Sequence, residues 1–296
     1  MIAIENLTKI YKETKGVKAL DNVSMFFPGN EICVILGHNG AGKTTLLSII
    51  NGIVKKTEGT INYWGNIYSE VPGHIISSFG YVTSELKLYA RLTVREIINF
   101  LSKLVTPSSF YSVEELIEIF ELKGYLDRYI NTLSTGIYKR VQITCSLLTD
   151  IKYLFLDEPE SGLDPISRIE IEHFILNAAG KDFGIVVSTH DLNFAEKIAD
   201  RIILLKEGKL VFAGRKEEFV SMLQGRNEIK IKINSHASYE KILKNYKYDG
   251  KWYYVNNSIE EIKIFFDILN EAKINLENIE YNCVPIGDIY KHFYEK

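Results

Sequence analysis

The stretch from Gly37 to Thr45, GHNGAGKTT, constrains the fold of this chain more than any other segment. It matches the pattern G-x-x-x-x-G-K-[ST], follows the apolar run EICVIL, and precedes the helical pattern TLLSIINGI. Glycines let backbone N–H groups turn inward around phosphate oxygens, and the N-terminus of the next helix adds a favourable dipole. The order of strand, glycine loop and helix predicts a phosphate-binding loop, with a plain glycine-rich turn as the alternative.

Within this loop, side chains of different chemistry have different expected tasks. Lys43 would hold the β- and γ-phosphates of a nucleotide, and Thr44 would ligate Mg²⁺. The predicted nucleotide-binding residues of the loop are Gly37, His38, Asn39, Gly40, Ala41, Gly42, Lys43, Thr44 and Thr45.

Polar side chains also follow two other apolar runs that resemble buried strands. Asp157 and Glu158 come directly after YLFL, and His190 follows GIVVST. Because ligands of α/β folds bind at the carboxyl ends of parallel strands, we expect these groups near the phosphate-binding loop. Asp157 is then a candidate Mg²⁺ partner, Glu158 a candidate base for water, and His190 a candidate contact for the γ-phosphate. Taken singly, each has a structural alternative, either a solvated turn or a structural histidine.

Hydrophobic patterning predicts an α/β core followed by a smaller domain. The continuous apolar runs EICVILG, KYLFLD, GIVVST and RIILLKEG are typical of parallel strands buried on both faces. The alternating segments IAIENLTKIY and KALDNVSMFF predict an antiparallel β layer, and helical spacing from about residue 93 to 150 predicts a helical subdomain. We expect the core over residues 1–224 and a small accessory α+β domain over 225–296, with a linker near Gly225.

Composition excludes several classes of protein. With a net charge of −3 over 296 residues, the chain is not expected to bind nucleic acid. No window approaches the roughly 18 to 20 apolar residues of a membrane span, and the start lacks a signal-peptide pattern, so we expect the chain in the cytoplasm. Cys33, Cys145 and Cys283 have no spacing typical of a zinc site or disulfide framework.

Taken together, the motifs resemble those of ABC-type ATPases in order and spacing. Lys43 lies in the Walker A loop, LSTG at 133–136 resembles the signature motif, LFLDEP resembles Walker B, SGLDP the D-loop, and STH the switch-histidine motif. The resemblance covers about residues 1–220 and implies a P-loop NTPase fold, ATP and Mg²⁺ as cofactors, and ATP hydrolysis with Glu158 as base and His190 beside it. No NKxD tetrapeptide follows, which argues against a GTPase.

The same resemblance implies further site residues. Tyr11 would stack on adenine with Val17 beside the base, although a tyrosine on a strand surface is also common. Ser134, Thr135 and Gly136 would contact the γ-phosphate of the ATP bound to the opposite subunit. The D-loop, across the dimer seam, would consist of Ser161, Gly162, Leu163 and Asp164. Ser134 is also suited to cap the following helix, a role compatible with phosphate binding because both use the same helix end.

The chain departs from the family pattern in the Q-loop and in the signature motif. Ser84 stands where a metal-contacting glutamine is usual, and Glu85 is the alternative candidate for that task. Thr135 replaces the first glycine of LSGGQ, and Ile137 replaces its glutamine. Together with the spelling VTSELKLYARLT and the extra domain, these changes resemble the NatA/CcmA-like subgroup, the ATPase subunits of ABC-2-type exporters.

The leading functional hypothesis is the ATP-binding subunit of an ABC transporter, most similar to an exporter. ATP would close a homodimer, or a pair with a paralogue, and drive a separate integral membrane permease from the inner face of the membrane. The alternatives are a soluble ABC ATPase outside transport and a regulatory protein that binds ATP.

Overall fold

The computed structural model describes residues 1–11, 16–83, 85–105, 110–178, 183–221, 228–233, 242–248, 252–256, 259–272, 274, 276–281 and 290. The chain divides into two compact units, Met1–Lys216 and Glu217–Lys296. The linker that we predict near Gly225 lies outside the described residues, and the predicted boundary between residues 224 and 225 stays a prediction.

The first unit contains strands of two sheets. In chain order they are β1 Ile2–Tyr11, β2 Val17–Phe27, β3 Ile32–Leu36, β4 Glu58–Tyr63, β5 Asn66–Ile67, β6 Phe79–Val82, β7 Tyr153–Asp157, β8 Gly184–Thr189, β9 Arg201–Lys206 and β10 Lys209–Arg215. The helices are α1 Lys43–Ile50, α2 Gly73–Ile76, α3 Val94–Ser102, α4 Val113–Ile119, α5 Thr135–Ser146, α6 Pro165–Ala178, α7 Leu192–Ile198 and α8 Lys216–Ser221, the last reaching into the second unit.

The central sheet has six strands in the order β10-β9-β3-β8-β7-β6. Strands β9, β3, β8, β7 and β6 are parallel, and β10 pairs with β9 in the antiparallel sense. Every residue of β3, β7 and β8 is buried, as expected for continuous apolar strands covered on both faces. The predicted strands around Cys33, Phe155, Val187 and Leu204 are therefore confirmed.

A second sheet has four antiparallel strands in the order β2-β1-β4-β5. Leu20, Val23, Met25 and Phe27 alternate with more exposed residues along β2 and are part of the core cluster that also contains α1 residues. This sheet confirms the predicted antiparallel layer, to which β4 and β5 add strands that the sequence patterns did not indicate.

Between β6 and β7 the described residues form helices and turns without a named strand. Thr93 and Glu96 make a capping box at the start of α3, and Ser112 and Glu115 make another at α4. An isolated bridge joins Thr93 and Tyr129. The predicted helical subdomain is confirmed.

The second unit is described in part and has its own sheet and core. Its elements are β11 Glu228–Ile233, β12 Lys247–Tyr248, β13 Tyr253–Asn256, α9 Ile259–Glu271 and β14 Leu276–Tyr281. The strands are antiparallel in the order β12-β13-β11-β14. Phe265 and Leu269 of α9 belong to the same buried cluster as Tyr253 and Val255 of β13. These elements agree with the predicted α+β pattern.

Candidate functional site

The loop between β3 and α1 has a backbone that glycine makes possible. Gly40 and Gly42 have φ angles of +83° and +102°, in the left-handed region that side chains with a Cβ rarely occupy. At Gly42, an added Cβ would also lie 2.5 Å from the carbonyl oxygen of Ala19 in β2. Gly42 precedes α1, whose first turn carries no acidic side chain, so the positive end of the helix is left available to an anion.

A cleft of about 940 Å³ opens beside this loop. The residues that line it are Tyr11, Val17, Lys18, Ala19, Asn39, Gly40, Gly42, Lys43, Thr44, Thr45, Asp157, Glu158 and Glu207. Tyr11 and Val17 face each other across β1 and β2, and the Tyr11 ring lies 4.7 Å from the Lys9 Nζ. The sequence patterns did not indicate Lys18, Ala19 or Glu207, since none belongs to a phosphate-binding motif.

Three residues of the predicted loop do not line the cleft. An added Cβ at Gly37 would lie 2.7 Å from the carbonyl oxygen of Leu205, which shows that its glycine serves packing against β9. Ala41 is buried and donates its N–H to the carbonyl oxygen of His38 at 3.0 Å. Gly37 and Ala41 thus lie on the buried side of the loop, whereas His38 is exposed.

Lys43 is the first residue of α1 and is buried, with 4 % of its side chain exposed. Its Nζ donates to the carbonyl oxygens of Gly37 at 2.8 Å and His38 at 3.2 Å. The same nitrogen lies 3.3 Å from Glu158 Oε1. The side chain therefore links the glycine loop to the end of β7.

Asp157 and Glu158 are fixed by the neighbouring strand. Asp157, the buried last residue of β7, accepts a hydrogen bond from Ser188 Oγ, and the two residues pair across β7 and β8. Ser188 Oγ also accepts the Glu158 N–H at 3.1 Å. Sequence patterns missed Ser188, although a polar residue near the end of the buried run GIVVST was a usable signal.

Contacts converge on the carboxylate of Glu158. Its Oε1 lies 3.3 Å from both the Lys43 Nζ and the His190 Nδ1. Glu158 has a φ of +46°, a left-handed backbone that is uncommon outside glycine, asparagine and aspartate. The predicted groups at the ends of β7 and β8 thus meet Lys43 at one edge of the sheet.

The predicted signature and D-loop residues are not among those that line the cleft. Ser134 caps α5 by accepting the Ile137 N–H at 3.4 Å. At Gly136, an added Cβ would lie 2.9 Å from the Cβ of Ser167 in α6, so this glycine has a packing role within its own chain. An added Cβ at Gly162 would lie 3.8 Å from Thr135 Cγ2, so the predicted D-loop and signature motif are neighbours within this chain.

The D-loop residues Ser161, Gly162 and Asp164 are exposed, and Leu163 is half-buried. Asp164 accepts hydrogen bonds from the Ser167 N–H at 3.0 Å and the Ser167 hydroxyl at 2.7 Å. These hydrogen bonds hold the pKa of the Asp164 carboxyl below its ordinary value of 3.8.

Ser84, the predicted metal contact, lies outside the described residues. The alternative candidate Glu85 donates its N–H to Thr83 Oγ1 at 3.3 Å. Gln142 of α5 donates from Nε2 to the carbonyl oxygens of Thr83 at 3.3 Å and Leu86 at 2.8 Å. This segment is therefore tied to α5 on both sides of Ser84.

Known proteins resemble this chain in sequence and in fold. The family model described as ABC transporter matches residues 20–161. The lipopolysaccharide export system ATP-binding protein LptB of Haemophilus influenzae is 31% identical over 227 residues, covering 75% of this chain and 93% of that protein. The osmoprotectant import ATP-binding protein OsmV of Salmonella typhimurium is 31% identical over 230 residues, covering 75% of this chain and 60% of that protein.

Among solved structures, the dimeric post-hydrolysis state of the ATP-binding cassette MJ0796 bound to ADP and Pi superposes on this chain with a TM-score of 0.65. The two sequences are 27% identical, and the superposition covers 73% of this chain and 98% of the MJ0796 chain.

The fold and the residues of the cleft define a P-loop ATPase of the ABC type. The chain belongs to the ABC transporter family, in which it is an ATP-binding, ATP-hydrolysing subunit. Within the described residues, no helix is long and apolar enough to cross a membrane. The relatives named above include one export and one import protein, so the predicted exporter subgroup stays a prediction.

Proposed function

We propose that this subunit hydrolyses ATP in the cleft beside Gly40 and Lys43, with Glu158 as the base that activates water. The observation that carries this proposal is the convergence of the Lys43 Nζ and the His190 Nδ1 on one oxygen of Glu158, 3.3 Å from each. A carboxylate in this position is suited to accept the proton of water that attacks the γ-phosphate. His190 contacts the γ-phosphate and the water from the end of β8.

The chemistry of the cleft fits Mg²⁺ bound with ATP. Thr44 lines the cleft at the start of α1. Asp157 also lines it, and its buried carboxylate accepts a hydrogen bond from Ser188. A hydroxyl and a carboxylate are oxygen donors of the kind Mg²⁺ takes. Thr44 and Asp157 would hold the ion, which supplies positive charge to the phosphate oxygens, and Ser84 is proposed as a third contact.

At the opposite end of the nucleotide, Tyr11 stacks on adenine and Val17 packs beside the base. Both residues line the cleft, where the exposed Val17 presents an apolar surface to a planar ring. A strand pair thus provides the base contact and the glycine loop the phosphate contacts.

We further propose that ATP is enclosed between two ATPase subunits. Ser134, Thr135 and Gly136 lie apart from the cleft of their own chain, yet the start of α5 offers backbone N–H groups to an anion. In the proposed dimer these groups contact the γ-phosphate of the opposite subunit, and Ser161, Gly162, Leu163 and Asp164 line the seam. The dimeric MJ0796 structure with ADP and Pi supports this arrangement.

The proposed cellular role is that of an exporter subunit at the inner face of the cell membrane, as in ABC-2-type systems. Closure and reopening of the dimer would drive an integral membrane permease, which supplies the membrane span and the substrate site. The NatA/CcmA-like sequence of the Q-loop region and signature motif supports export, whereas LptB and OsmV are equally identical to this chain and favour neither direction. Co-purification of the chain from membranes with a multi-span protein tests this assignment, and its consistent recovery without one would contradict it.

Light scattering tests the proposed dimer. We expect the wild-type chain with Mg²⁺ and a slowly hydrolysed ATP analogue to double its molar mass relative to the same chain with ADP. Thr135→Gly restores the family's glycine at the proposed contact. A changed molar mass of this variant with the analogue would mean that Thr135 affects formation of the closed dimer. An unchanged molar mass of the wild-type chain at saturating analogue would contradict the dimer for the homodimeric case, and addition of a paralogue would then test the heterodimeric one.

A further inference from the structure

A buried lysine, Lys139, reaches from α5 to the turn that carries Glu158. Only 6 % of Lys139 is exposed, and its Nζ lies 3.5 Å from the carbonyl oxygen of Glu158. Lysine is almost never buried without a compensating partner, because the ammonium loses its hydration. The position of Lys139 therefore calls for a role that the cleft contacts do not explain.

The surroundings of Lys139 are acidic. Burial lowers the pKa of Lys139, and the carboxylates of Glu160, Asp157 and Glu158 oppose that effect, with Glu160 the strongest of the three. These carboxylates therefore favour the charged form of the buried Lys139, whose Nζ contacts the carbonyl oxygen of Glu158 at 3.5 Å.

Glu160 is itself in an unusual state of burial. Only 7 % of it is exposed, its Oε1 accepts a hydrogen bond from Thr189 Oγ1, and its Oε2 has no hydrogen-bond partner within the described part of the chain. Burial raises the pKa of Glu160. A buried carboxylate of this kind is stabilised by positive charge, and the attraction of Glu160 is the strongest that Lys139 experiences from a carboxylate.

The turn at Glu158 depends on such support. Its left-handed backbone, with a φ of +46°, persists only where neighbours hold it. The Glu158 N–H lies 3.1 Å from both the carbonyl oxygen and the Oγ of Ser188. On the other side, its carbonyl oxygen accepts from the Ser161 N–H at 3.1 Å and from Lys139.

We propose that Lys139 is a positioning residue for hydrolysis. It holds the Glu158 carbonyl group and balances the charge of Glu160, and so fixes the Glu158 carboxylate at the edge of the cleft. This inference rests on the proposed role of Glu158 as the base. Lys43 cannot replace Lys139 in this task, because in the proposed function it binds the phosphates.

The Lys139 side chain also links two segments with proposed functions, the start of α5 and the Glu158 turn. α5 begins beside Ser134, the proposed contact for ATP in the opposite subunit, and Lys139 stands one turn further along the helix. A movement of α5 on dimer closure would therefore reach the Glu158 turn directly through Lys139.

Lys139→Met tests the proposal in the full-length chain, because methionine keeps an unbranched side chain without charge or donor. We expect kcat for ATP hydrolysis to fall about 10-fold, while the dissociation constant for a slowly hydrolysed ATP analogue changes less than about 2-fold. Lys123→Met, at an exposed lysine, is the matched control and should keep the wild-type kcat.

The double variant Lys139→Met with Glu160→Gln separates positioning from folding. It removes both buried charges, so its urea midpoint should recover relative to Lys139→Met, whereas kcat should stay low because the donor to the Glu158 carbonyl is still missing. Recovery of kcat together with stability would overturn the positioning role.

Further outcomes distinguish this inference from the proposed function. A wild-type kcat in Lys139→Met, with Glu158→Gln inactive, overturns the role of Lys139 and leaves that of Glu158 intact. A wild-type rate in Glu158→Gln overturns the proposed function itself. Loss of analogue affinity without loss of kcat in Lys139→Met would also overturn the inference, because Lys139 would then serve binding.

Discussion

At the scale of single residues, the end of β7 shows how two adjacent acidic residues are held in place. Asp157 completes a buried strand, and the chain then turns sharply into the left-handed conformation at Glu158. Ser188 of β8 contacts both residues, donating to the Asp157 carboxylate and accepting the Glu158 N–H. One fully buried hydroxyl group thus supports two acidic residues with different proposed tasks.

Ser188→Ala should therefore destabilise the protein. The variant leaves the Asp157 carboxylate and the Glu158 N–H without this hydrogen-bond partner. We therefore expect the free energy of unfolding to fall by about 2 kcal/mol. Urea denaturation measures the change. Ser77→Ala is the control, since the exposed Ser77 hydroxyl donates only to the His74 carbonyl oxygen in a surface turn, and its loss should stay below about 0.5 kcal/mol. Equal losses in the two variants would contradict the role assigned to Ser188.

The carboxyl group of Asp164 provides a prediction about pH. Its pKa is lowered by hydrogen bonds from Ser167, so its contribution to stability is present above about pH 3.8 and is lost as the pH falls through the lowered pKa. Ser167→Ala removes the hydroxyl donor and should raise the Asp164 pKa toward 3.8, as followed by NMR titration. The pKa of Asp127, lowered by Arg95, should stay unchanged in the same variant. An unmoved Asp164 pKa would show that the backbone N–H groups alone set it.

At the scale of elements, α5 is held against α6 at two levels. Gly136 in the first turn of α5 packs against Ser167, and the buried Arg140 pairs with Glu170 one turn further along. Gln142, on the same helix, is bonded to the loop on both sides of Ser84. Helix α5 therefore connects the D-loop, the Q-loop region and, through Lys139, the Glu158 turn.

Gly136→Ala tests the close approach of α5 and α6. The added Cβ would meet the side chain of Ser167, so we expect a loss of about 2 kcal/mol in the free energy of unfolding. Combining it with Ser167→Gly removes the opposing atoms, and the double variant should lose less than the sum of the single losses. Gly124→Ala, where an added Cβ meets nothing within 4 Å, should lose no stability. Additive losses in the double variant would contradict the contact.

Sequence patterns predicted the elements whose burial is visible in the chain itself. Strands β3, β7, β8 and β9 are continuous apolar runs, whereas β4, with the sequence EGTINY, is largely polar, and β6, FGYV, is short and contains glycine. Because pairing with β1 and β7 holds these strands in place, local pattern did not reveal them. The convergence on Glu158 was predictable from strand ends, while Lys139 was not, since a lysine in a helix is normally exposed.

At the scale of the whole molecule, the chain consists of two units with separate buried cores. The residues that line the cleft fall between Tyr11 and Glu207, entirely within the first unit. We hypothesise that the second unit contacts its own copy in the dimer or regulates turnover. Its described strands and helix are sufficient to form an antiparallel sheet covered by α9.

Deletion of residues 226–296 tests whether the second unit contributes to dimerisation or to regulation of turnover. We expect the affinity for a slowly hydrolysed ATP analogue to stay within about 2-fold of the wild type, because a site formed by one unit needs only that unit. Dimerisation or the ATPase rate should change, as measured by light scattering and phosphate release. If both stay the same, the second unit has neither of the proposed roles.

Phosphate release by the variant Glu158→Gln measures whether Glu158 is the base for ATP hydrolysis, as we claim. Glutamine keeps the size of the side chain near Lys43 and His190 but cannot accept the proton, so we expect kcat to fall at least about 100-fold with ATP affinity retained. Hydrolysis at the wild-type rate by the purified variant would contradict the claim.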